Sequence, residues 1–431
     1  MDPKPHISNR SRLAPLLVLT LLALAVFAPS PVWTILLVGL GGAYLLAFLW
    51  VYRLGKQLSL RREMRFGWAQ VGDRLEERFT LKNEGLLPAL WVEVRDLSNL
   101  PGYAISRATG AAGMGETRWT TRGVCIQRGI YTLGPTILCS GDPFGLFQIE
   151  IPDSRSTNLM VTPPVVPLPE IQVAAGGRSG EGRPRPNAPE RTVSAAGVRE
   201  YFPGDSLRWI HWRTTARRNE PFVRLLDGTP AGDWWIVLDL DQSVQVGHGQ
   251  NSTEEHAVIL AASLADRGLR LRRAVGLAAN SNPATWLAPR QGDGQRWELL
   301  RRLAVLQPGE RPLQDLLGKL KPGFGKRSSL ILITANTSPA WLEALLPFLW
   351  TGAAPTILLL DPATFGGRGG TSALKSTAAQ FGIPITVIPR GLLDRPEARP
   401  GARGHWEWRV SPSGRAVAVQ KPSDLEWKQL R

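Results

Sequence analysis

The stretch WWIVLDL, residues 234–240, is the first of five apolar segments that organise the C-terminal half of the chain. The other four are residues 274–279, 330–334, 356–360 and 383–388, and amphipathic stretches lie between them at residues 254–267, 295–306, 339–350 and 372–381. Short apolar strands that alternate with amphipathic helices are typical of a parallel sheet covered by helices on both faces. We therefore predict a doubly wound α/β domain over residues 233–398.

A second folded region is predicted upstream, over residues 60–165. Apolar and polar residues alternate with a period of two in segments such as ALWVEVR, residues 89–95. Turn signals such as Pro101-Gly102 separate these segments. Alternation of this kind predicts a small antiparallel β-sandwich with one buried face on each sheet.

Two further segments lie outside these domains. Residues 174–190 are rich in glycine, proline and arginine and have no apolar periodicity, which predicts an exposed linker or loop. Residues 399–431 form a C-terminal tail, in which residues 405–410 and 415–420 predict a hairpin.

Two uncharged apolar runs lie near the N-terminus, at residues 13–28 and 32–52. A helix needs about 20 residues to cross the hydrocarbon core of a bilayer, so the second run is long enough and the first is slightly short. Pro29 and Pro31 exclude one continuous helix through both runs. We therefore predict a transmembrane helical hairpin over residues 13–52.

Basic residues flank this hairpin on both sides, and the connecting loop has none. They are Lys4, Arg10 and Arg12 before it, and Arg53, Lys56, Arg61, Arg62 and Arg65 after it. The positive-inside rule then makes residues 1–12 a cytoplasmic basic tail and puts the soluble region on the cytoplasmic side of the membrane. If residues 13–28 were a cleaved signal peptide, the second run would still return this flank to the cytoplasm.

With only two cysteines, Cys125 and Cys139, we expect reduced thiols.

The composition limits the classes of partner. The formal net charge is +15, which attracts anionic lipid, nucleic acid or an acidic protein. The sequence has no zinc-finger spacing, RNP-type aromatic motif or basic zipper, so we expect no specific nucleic acid. The expected partners are a lipid bilayer and a protein.

The segment 191–227 contains the string REYFPGDSLRWIHWRTTAR, residues 199–217. Pro203-Gly204 predicts a turn, after which Asp205 would cap the N-terminus of a helix. On such a helix Ile210 and Thr214 would share one face. An edge strand is expected at residues 221–226.

This string resembles the signature of the bacterial domain-of-unknown-function-58 family, as do RGIYTLGP at residues 128–135 and DPFGLF at residues 142–147. The resemblance covers roughly residues 13–280. It implies a membrane anchor, a β-rich segment, a region related to von Willebrand factor type A domains, and an AAA+ ATPase of the MoxR type as partner. The signature residues, structural or partner-binding, are Arg199, Tyr201, Pro203, Gly204, Asp205, Arg208, Ile210, His211, Trp212, Ala216 and Arg217.

Two interpretations of the signature arginines stay open. Arg199, Arg208 and Arg217 could pair with nearby carboxylates or backbone carbonyls in a structural network, or they could form a docking surface for an acidic partner. We favour structure for most of them and partner contact for the exposed remainder. Trp212 could stack on a guanidinium, and His211 is expected to be packed or hydrogen-bonded rather than catalytic.

The loop after the first strand of the α/β domain carries a candidate metal site. Type A domains bind Mg²⁺ there through a D-x-S-x-S motif, which Asp239 and Ser243 match, while Asp241 replaces the first serine. Thr334 is a further candidate ligand, and Asn336 stands near the position where an acidic ligand is usual. The alternative is a strand-end loop whose carboxylates are solvated or cap the next helix.

No complete catalytic motif occurs in the sequence, which has neither G-x-S-x-G, H-E-x-x-H nor a P-loop. The primary hypothesis is a membrane-anchored, non-enzymatic adaptor that works with a MoxR-type AAA+ ATPase. The alternatives are a metal-dependent enzyme that uses Asp239, Asp241 and a water, and a basic protein that binds nucleic acid or anionic lipid.

Overall fold

The computed structural model describes part of the chain and divides it into two compact units. The described residues are 5–64, 67–168, 171–174, 195–202, 210–226, 233–320, 328–392, 407–410, 416–420 and 428–429. The first unit comprises Met1–Pro164 and Arg399–Arg431, and the second comprises Val165–Ala398. The larger part of the predicted linker, residues 175–190, lies outside the described residues.

The first unit begins with strand β1 (His6–Asn9) and helix α1 (Leu13–Phe27). The next helix runs continuously from Pro31 to Gln57 through α2 (Pro31–Leu36), a π-helical turn (Leu37–Gly41) and α3 (Gly42–Gln57). Ser30 caps it by accepting a hydrogen bond from the Val32 N–H, and Pro31 occupies the first turn, where a missing N–H costs nothing.

Only the helix Pro31–Gln57 is long and apolar enough to cross a membrane among the described residues. It has 27 residues, whereas α1 has 15 and is about 22 Å long at 1.5 Å per residue. The break around Pro29 is confirmed, and the long helix continues five residues beyond the predicted end at residue 52. Its final turns pack on the β-structure, with Val51 and Leu54 fully buried.

The β-structure of this unit consists mainly of two antiparallel sheets. The strands are β2 (Leu58–Met64), β3 (Trp68–Gln70), β4 (Arg74–Asn83), β5 (Ala89–Asp96), β6 (Arg107–Ala111), β7 (Glu116–Val124), β8 (Gly129–Leu133), β9 (Thr136–Gly141), β10 (Phe147–Asp153) and β11 (Thr157–Thr162). One sheet has the order β1-β10-β9-β5-β6, and β2-β4-β7 belong to the other. A smaller sheet, β3-β11-β8, includes a parallel pair between β3 and β11.

One hydrophobic core lies between the two large sheets, as in a β-sandwich. Phe79 of β4, Val92 of β5 and Leu138 of β9 belong to it and are at most 1% exposed. Both cysteines are buried and free. Arg62, one of the basic residues predicted to flank the membrane segment, instead points into the sandwich and is buried.

The second unit starts with a hairpin and a short helix. Strands β12 (Ala195–Glu200) and β13 (Phe222–Leu226) pair antiparallel, and helix α4 (Trp212–Arg218) lies between them in sequence. Residues just after Pro164 also belong to this unit, because Val166 and Ile171 are buried in its hydrophobic core. The Val166 N–H donates to Ser263 Oγ at 3.0 Å.

The rest of the second unit is a six-stranded sheet with helices on both faces. Its elements are β14 (Trp234–Leu238), α5 (Thr253–Arg270), β15 (Val275–Ala279), β16 (Thr285–Arg290), α6 (Asp293–Val305), α7 (Leu313–Leu320), β17 (Ser329–Thr334), α8 (Leu346–Trp350), β18 (Ala354–Leu360), α9 (Ser372–Gln380) and β19 (Ile385–Ile388). The strand order is β16-β15-β14-β17-β18-β19. Alternate residues of β14 face two separate cores, Ile236 with helix α5 and Val237 with α7.

Strands occur at all five apolar segments of the sequence, and they pair parallel. Strand β16 was not predicted. It pairs antiparallel with β15 at the sheet edge, and its residues alternate between half-buried and exposed. Pro289 within it is tolerated because an edge strand has unpaired backbone groups. The predicted helix 339–350 is a 3₁₀ helix (Pro339–Leu345) followed by α8.

The C-terminal tail contains the predicted hairpin. Strand β20 (Glu407–Val410) pairs antiparallel with β21 (Ala416–Gln420). A final strand, β22 (Lys428–Gln429), pairs with β2 of the first unit.

Candidate functional site

The signature segment is held by the hairpin β12–β13. Val198 pairs with Arg224, and Glu200 pairs with Phe222. Beyond the strands, the Tyr201 N–H donates to the Pro221 carbonyl at 2.8 Å, and the His211 N–H donates to the Phe222 carbonyl at 2.7 Å. The hairpin therefore fixes both ends of the signature connection, including the start of α4.

Helix α4 begins after His211, which caps it, and Asp205 lies outside the described residues. His211 has non-helical angles (φ −88°, ψ 79°), and its side chain accepts a hydrogen bond from the Thr214 N–H at 3.3 Å. His211 Nδ1 also lies 2.7 Å from Thr214 Oγ1. Ile210 forms a β-bridge with Val223, so it precedes the helix. The predicted helix face shared by Ile210 and Thr214 is therefore wrong, and His211 is hydrogen-bonded to Thr214.

Helix α4 exposes an aromatic and basic surface. Trp212 is 69% exposed, and Arg213, Ala216 and Arg217 are exposed as well. Trp212 lies one turn from Ala216, and Arg213 lies one turn from Arg217, so two adjacent faces carry these side chains. We call Trp212, Arg213 and Arg217 the α4 face.

The positive charge of the α4 face is not paired with carboxylates among the described residues. Neither Arg213 nor Arg217 forms an ion pair with any residue that the structure describes. The predicted structural pairing of Arg217 is therefore not observed there. The neighbouring Arg218 guanidinium lies 5.5 Å from the centre of the Phe222 ring, within the range of a cation–π contact. Two arginines and a tryptophan are thus left available to a partner.

Several signature residues cannot be placed in this way. Pro203, Gly204, Asp205 and Arg208 lie outside the described residues, as does the side chain of Arg199. Tyr201 is half-buried at the end of β12.

The second predicted site lies at the carboxyl ends of three neighbouring strands. Asp239 follows β14, Asn280 follows β15, and Thr334 ends β17. Asp239 Oδ2 accepts a hydrogen bond from Thr334 Oγ1 at 2.6 Å, and its Oδ1 accepts one from Asn280 Nδ2 at 2.9 Å. The Asp241 N–H donates to Asp239 Oδ1 at 3.3 Å. Asp239 therefore links the ends of β14, β15 and β17.

Burial dominates the electrostatics of Asp239. Its side chain is 1% exposed, and burial raises the pKa of its carboxyl group, opposed by the hydrogen bonds from Thr334 and Asn280. Within the described residues, Asp239 forms no ion pair. The carboxylate is thus held by neutral donors in a desolvated position, where its charged form is disfavoured.

Asp241 and Ser243 form a local turn rather than an open cation site. Asp241 Oδ1 accepts hydrogen bonds from the Ser243 N–H at 2.9 Å and from Ser243 Oγ at 2.8 Å. Hard oxygen donors suit Mg²⁺, but these two hydrogen bonds already engage Oδ1 of Asp241 within the turn. In the described parts of the chain no group of three acidic, histidine or cysteine side chains could hold a metal.

The residues present therefore do not complete a magnesium site, since Asn336 stands near the expected acidic ligand and its N–H donates to Thr334 Oγ1 at 2.9 Å. Mg²⁺ binding at Asp239, Asp241 and Ser243 stays a prediction. Sequence reasoning missed Asn280, which also accepts a hydrogen bond from the Leu240 N–H at 2.5 Å. Its position directly after a parallel strand could have revealed it, because such strands end at one edge of the sheet.

Comparison with known proteins matches part of this chain to one family model and to several uncharacterized proteins. Residues 197–348 match the family described as "Protein of unknown function DUF58". The chain is 23% identical over 322 residues to uncharacterized protein YeaD of Bacillus subtilis, covering 70% of this chain and 79% of that protein. It is 27% identical over 173 residues to uncharacterized protein Mb1516 of Mycobacterium bovis, covering 38% of this chain and 54% of that protein.

A solved structure, the CARDB domain of the PF1109 protein from Pyrococcus furiosus in complex with di-metal ions, covers 25% of this chain and 90% of that chain. It is 15% identical to this chain, with a TM-score of 0.18. The matched family region begins within β12 and ends within α8. It therefore includes the α4 face and the strand-end cluster, by which we mean Asp239, Asn280 and Thr334. The second unit of this chain thus contains the residues that match this family model.

Proposed function

We propose that this protein is a membrane-anchored, non-enzymatic adaptor whose second unit binds an acidic protein partner through the α4 face. The observation that carries the proposal is the exposed Trp212 beside Arg213 and Arg217, two arginines without an ion pair among the described residues. Tryptophan and arginine are the residue types that dominate the binding energy of protein interfaces. A cationic patch of this kind favours a partner surface rich in aspartate and glutamate.

The partner class follows from the family resemblance of the signature. It implies an AAA+ ATPase of the MoxR type, and it relates the α/β unit to von Willebrand factor type A domains. The parallel sheet flanked by helices is compatible with that relation. In this proposal the strand-end cluster has a structural role, which is to hold together the carboxyl ends of β14, β15 and β17.

The anchor consists of α1 and the helix Pro31–Gln57, which we propose form two spans with both soluble flanks in the cytoplasm. Several large apolar side chains on these helices are exposed: Leu13, Leu16, Leu19, Phe27, Ile35 and Val38. Bilayer contact removes this apolar surface from water. The short α1 can span if the bilayer thins locally or its flanking Arg10 and Arg12 extend toward the interface. The basic flanks set the orientation.

Affinity purification of the full chain from native membranes tests the partner proposal. We expect wild type to retain an acidic protein, identified by mass spectrometry, and the double variant R213E/R217E to lose it. R301E is the matched control, because Arg301 is an exposed arginine on α6 of the same unit. Equal recovery with R213E/R217E and wild type, or no stable partner for either, would overturn the proposal.

A further inference from the structure

A groove of about 570 Å³ lies beside the final turns of the long N-terminal helix. The helix contributes Leu46, Leu49 and Arg53 to it, the loop between β4 and β5 contributes Leu86 and Leu87, and the loop between β9 and β10 contributes Phe144. The lining is predominantly apolar, with a cation near one end. All of these residues belong to the first unit.

The loop that carries Phe144 is built rigidly around a buried carboxylate. Asp142 is 2% exposed, and its two oxygens accept hydrogen bonds from the Phe144 N–H at 2.7 Å and the Phe147 N–H at 2.5 Å. Gly145 completes the turn with a φ of 70°, a conformation that suits glycine. This turn, part of the DPFGLF motif, holds Phe144 with 65% of its surface exposed.

The opposite loop is fixed to the end of the helix. The Glu84 N–H donates to the Gln57 carbonyl at 2.9 Å, and Asn83 Nδ2 donates to the Leu87 carbonyl at 2.8 Å. Leu86, at the tip of this loop, is 85% exposed. Two firmly held loops therefore present large apolar side chains on the same side of one helix end, which in water would be unfavourable.

The depth of the groove follows from helix geometry. About 20 residues counted from Pro31 cross the hydrocarbon core and reach Trp50. In the proposed anchor, Leu46 and Leu49 then lie near the cytoplasmic boundary of the acyl chains, and Arg53 lies one turn further, toward the lipid phosphates. The groove is therefore continuous with the apolar helix surface that faces the bilayer.

We propose that this groove binds one anionic glycerophospholipid of the cytoplasmic leaflet. Its acyl chain packs between Leu46, Leu49 and Phe144, and its phosphate pairs with Arg53. Arg53 forms no ion pair with the described residues, and none of the described residues that line the groove is acidic. The inference rests on the proposed membrane anchor, without which the groove would face water.

The position of Phe144 is tested with the full chain carrying Phe144→Cys and a thiol-reactive fluorophore. The two native thiols are buried, and burial raises the pKa of Cys125 to about 11, so both react slowly. The matched control is Val124→Cys, at the end of β7 far from the helix, since Val124 pairs with Arg74 at the opposite end of β4 from Asn83. Both variants are reconstituted in phosphatidylcholine vesicles containing phosphatidylglycerol with brominated acyl chains.

Bromine should quench the fluorophore at position 144 and leave that at position 124 unchanged. Flotation of the same vesicles distinguishes failure of the proposed membrane anchor from failure of the proposed lipid groove. A chain that does not float with the vesicles would refute the anchor, whereas a floating chain with no quenching at position 144 would refute the lipid groove alone.

The lipid class is tested by native mass spectrometry of the full chain released from detergent. Wild type should retain phosphatidylglycerol, and R53Q should retain about five-fold less, because one arginine near the phosphates contributes on the order of 1 kcal/mol. R74Q, an exposed arginine at the far end of β4, should match wild type. Equal retention by R53Q and wild type, or a second copy of the chain in place of lipid, would overturn the proposal.

Discussion

Each unit contains a buried polar cluster, and the two clusters stabilise their carboxyl groups by different partners. In the first unit, Arg62 donates to both carboxylate oxygens of Glu77, at 2.8 and 2.7 Å, and to Asp96 at 2.9 Å. In the second unit, Asp239 receives hydrogen bonds from neutral groups, Thr334 and Asn280. The first cluster is a closed network of ion pairs, whereas the buried carboxyl group of Asp239 has no cation among the described residues and its charged form is disfavoured.

The Arg62 cluster is satisfied on every side. The Tyr103 hydroxyl donates to Glu77 Oε2 at 2.5 Å, and the Ser98 hydroxyl donates to Asp96 Oδ1 at 2.8 Å. Burial alone would lower the pKa of Arg62, but its hydrogen bonds and the charges of Glu77 and Asp96 hold that pKa above its ordinary value. Burial raises the pKa of Tyr103, so its hydroxyl stays a donor.

The largest effect is expected from Arg62→Ala. This change leaves Glu77 and Asp96 buried without a cation and should lower the free energy of unfolding of the first unit by about 3–5 kcal/mol. Hydrogen exchange of peptides from each unit measures the loss, which should spare the second unit. The control is Arg61→Ala, whose exposed ion pair with Glu63 should contribute less than about 1 kcal/mol. A similar loss for both variants would contradict the paired-network interpretation.

A smaller effect is expected from Asp239→Ala in the second unit. It leaves the Thr334 hydroxyl and the Asn280 amide without their acceptor, which should lower the free energy of unfolding by about 2–3 kcal/mol. Removal of a desolvated charge offsets part of the loss. Thr334→Val removes one donor only and should therefore cost less, about 1 kcal/mol. Chemical denaturation followed by hydrogen exchange distinguishes these values, and an unchanged stability for Asp239→Ala would refute the strand-end link.

The pH dependence of the free energy of unfolding tests the burial of Asp239. The pKa of Asp239 is raised in the folded state, so between its ordinary value of about 3.9 and its folded value the folded chain binds more protons than the unfolded chain. The contribution of Asp239 to stability is then full below the ordinary value and falls as pH rises through the folded value. Asp239→Asn should remove this fall, so the difference in the free energy of unfolding between wild type and Asp239→Asn should change with pH. A difference that is the same at every pH would contradict the raised pKa of Asp239.

The smallest effect is expected from Mg²⁺. Because the residues around Asp239 do not complete a cation site, saturating Mg²⁺ should leave the Tm of the second unit unchanged in wild type and in Asp239→Asn alike. A bound ion would raise the Tm of the folded state by mass action. A rise in wild type that Asp239→Asn abolishes would show that the sequence-based metal prediction is right and the fit derived from the structure is wrong.

Much of the fold could be predicted because burial leaves a periodic trace. The fully apolar segments marked all five parallel strands, and alternation marked the sandwich. Strand β16 was missed because an edge strand with Pro289 has little apolar character. The burial of Arg62 was missed because a charged residue at an inward position breaks the alternation, although Leu58, Leu60 and Met64 on the same strand face the core.

The sites were predictable in residue type and less so in geometry. Asp239 was singled out by its place after a strand, but hydrogen bonds from distant positions such as Asn280 and Thr334 arise only when the strands assemble. The helix of the signature was expected to begin at Asp205, because helical periodicity cannot distinguish a helix from a bridge such as that of Ile210 with Val223. The exposed α4 face depends on that later start.

The adaptor proposal requires that the α4 face binds a protein at the membrane. Site-specific photocrosslinking tests it most directly, with a photoreactive amino acid at Trp212 or at Arg301 of the full chain in intact cells. We predict one discrete protein adduct at position 212, recovered with the membrane fraction, and none at position 301. No adduct at 212, or the same products at both positions, would contradict the adaptor function.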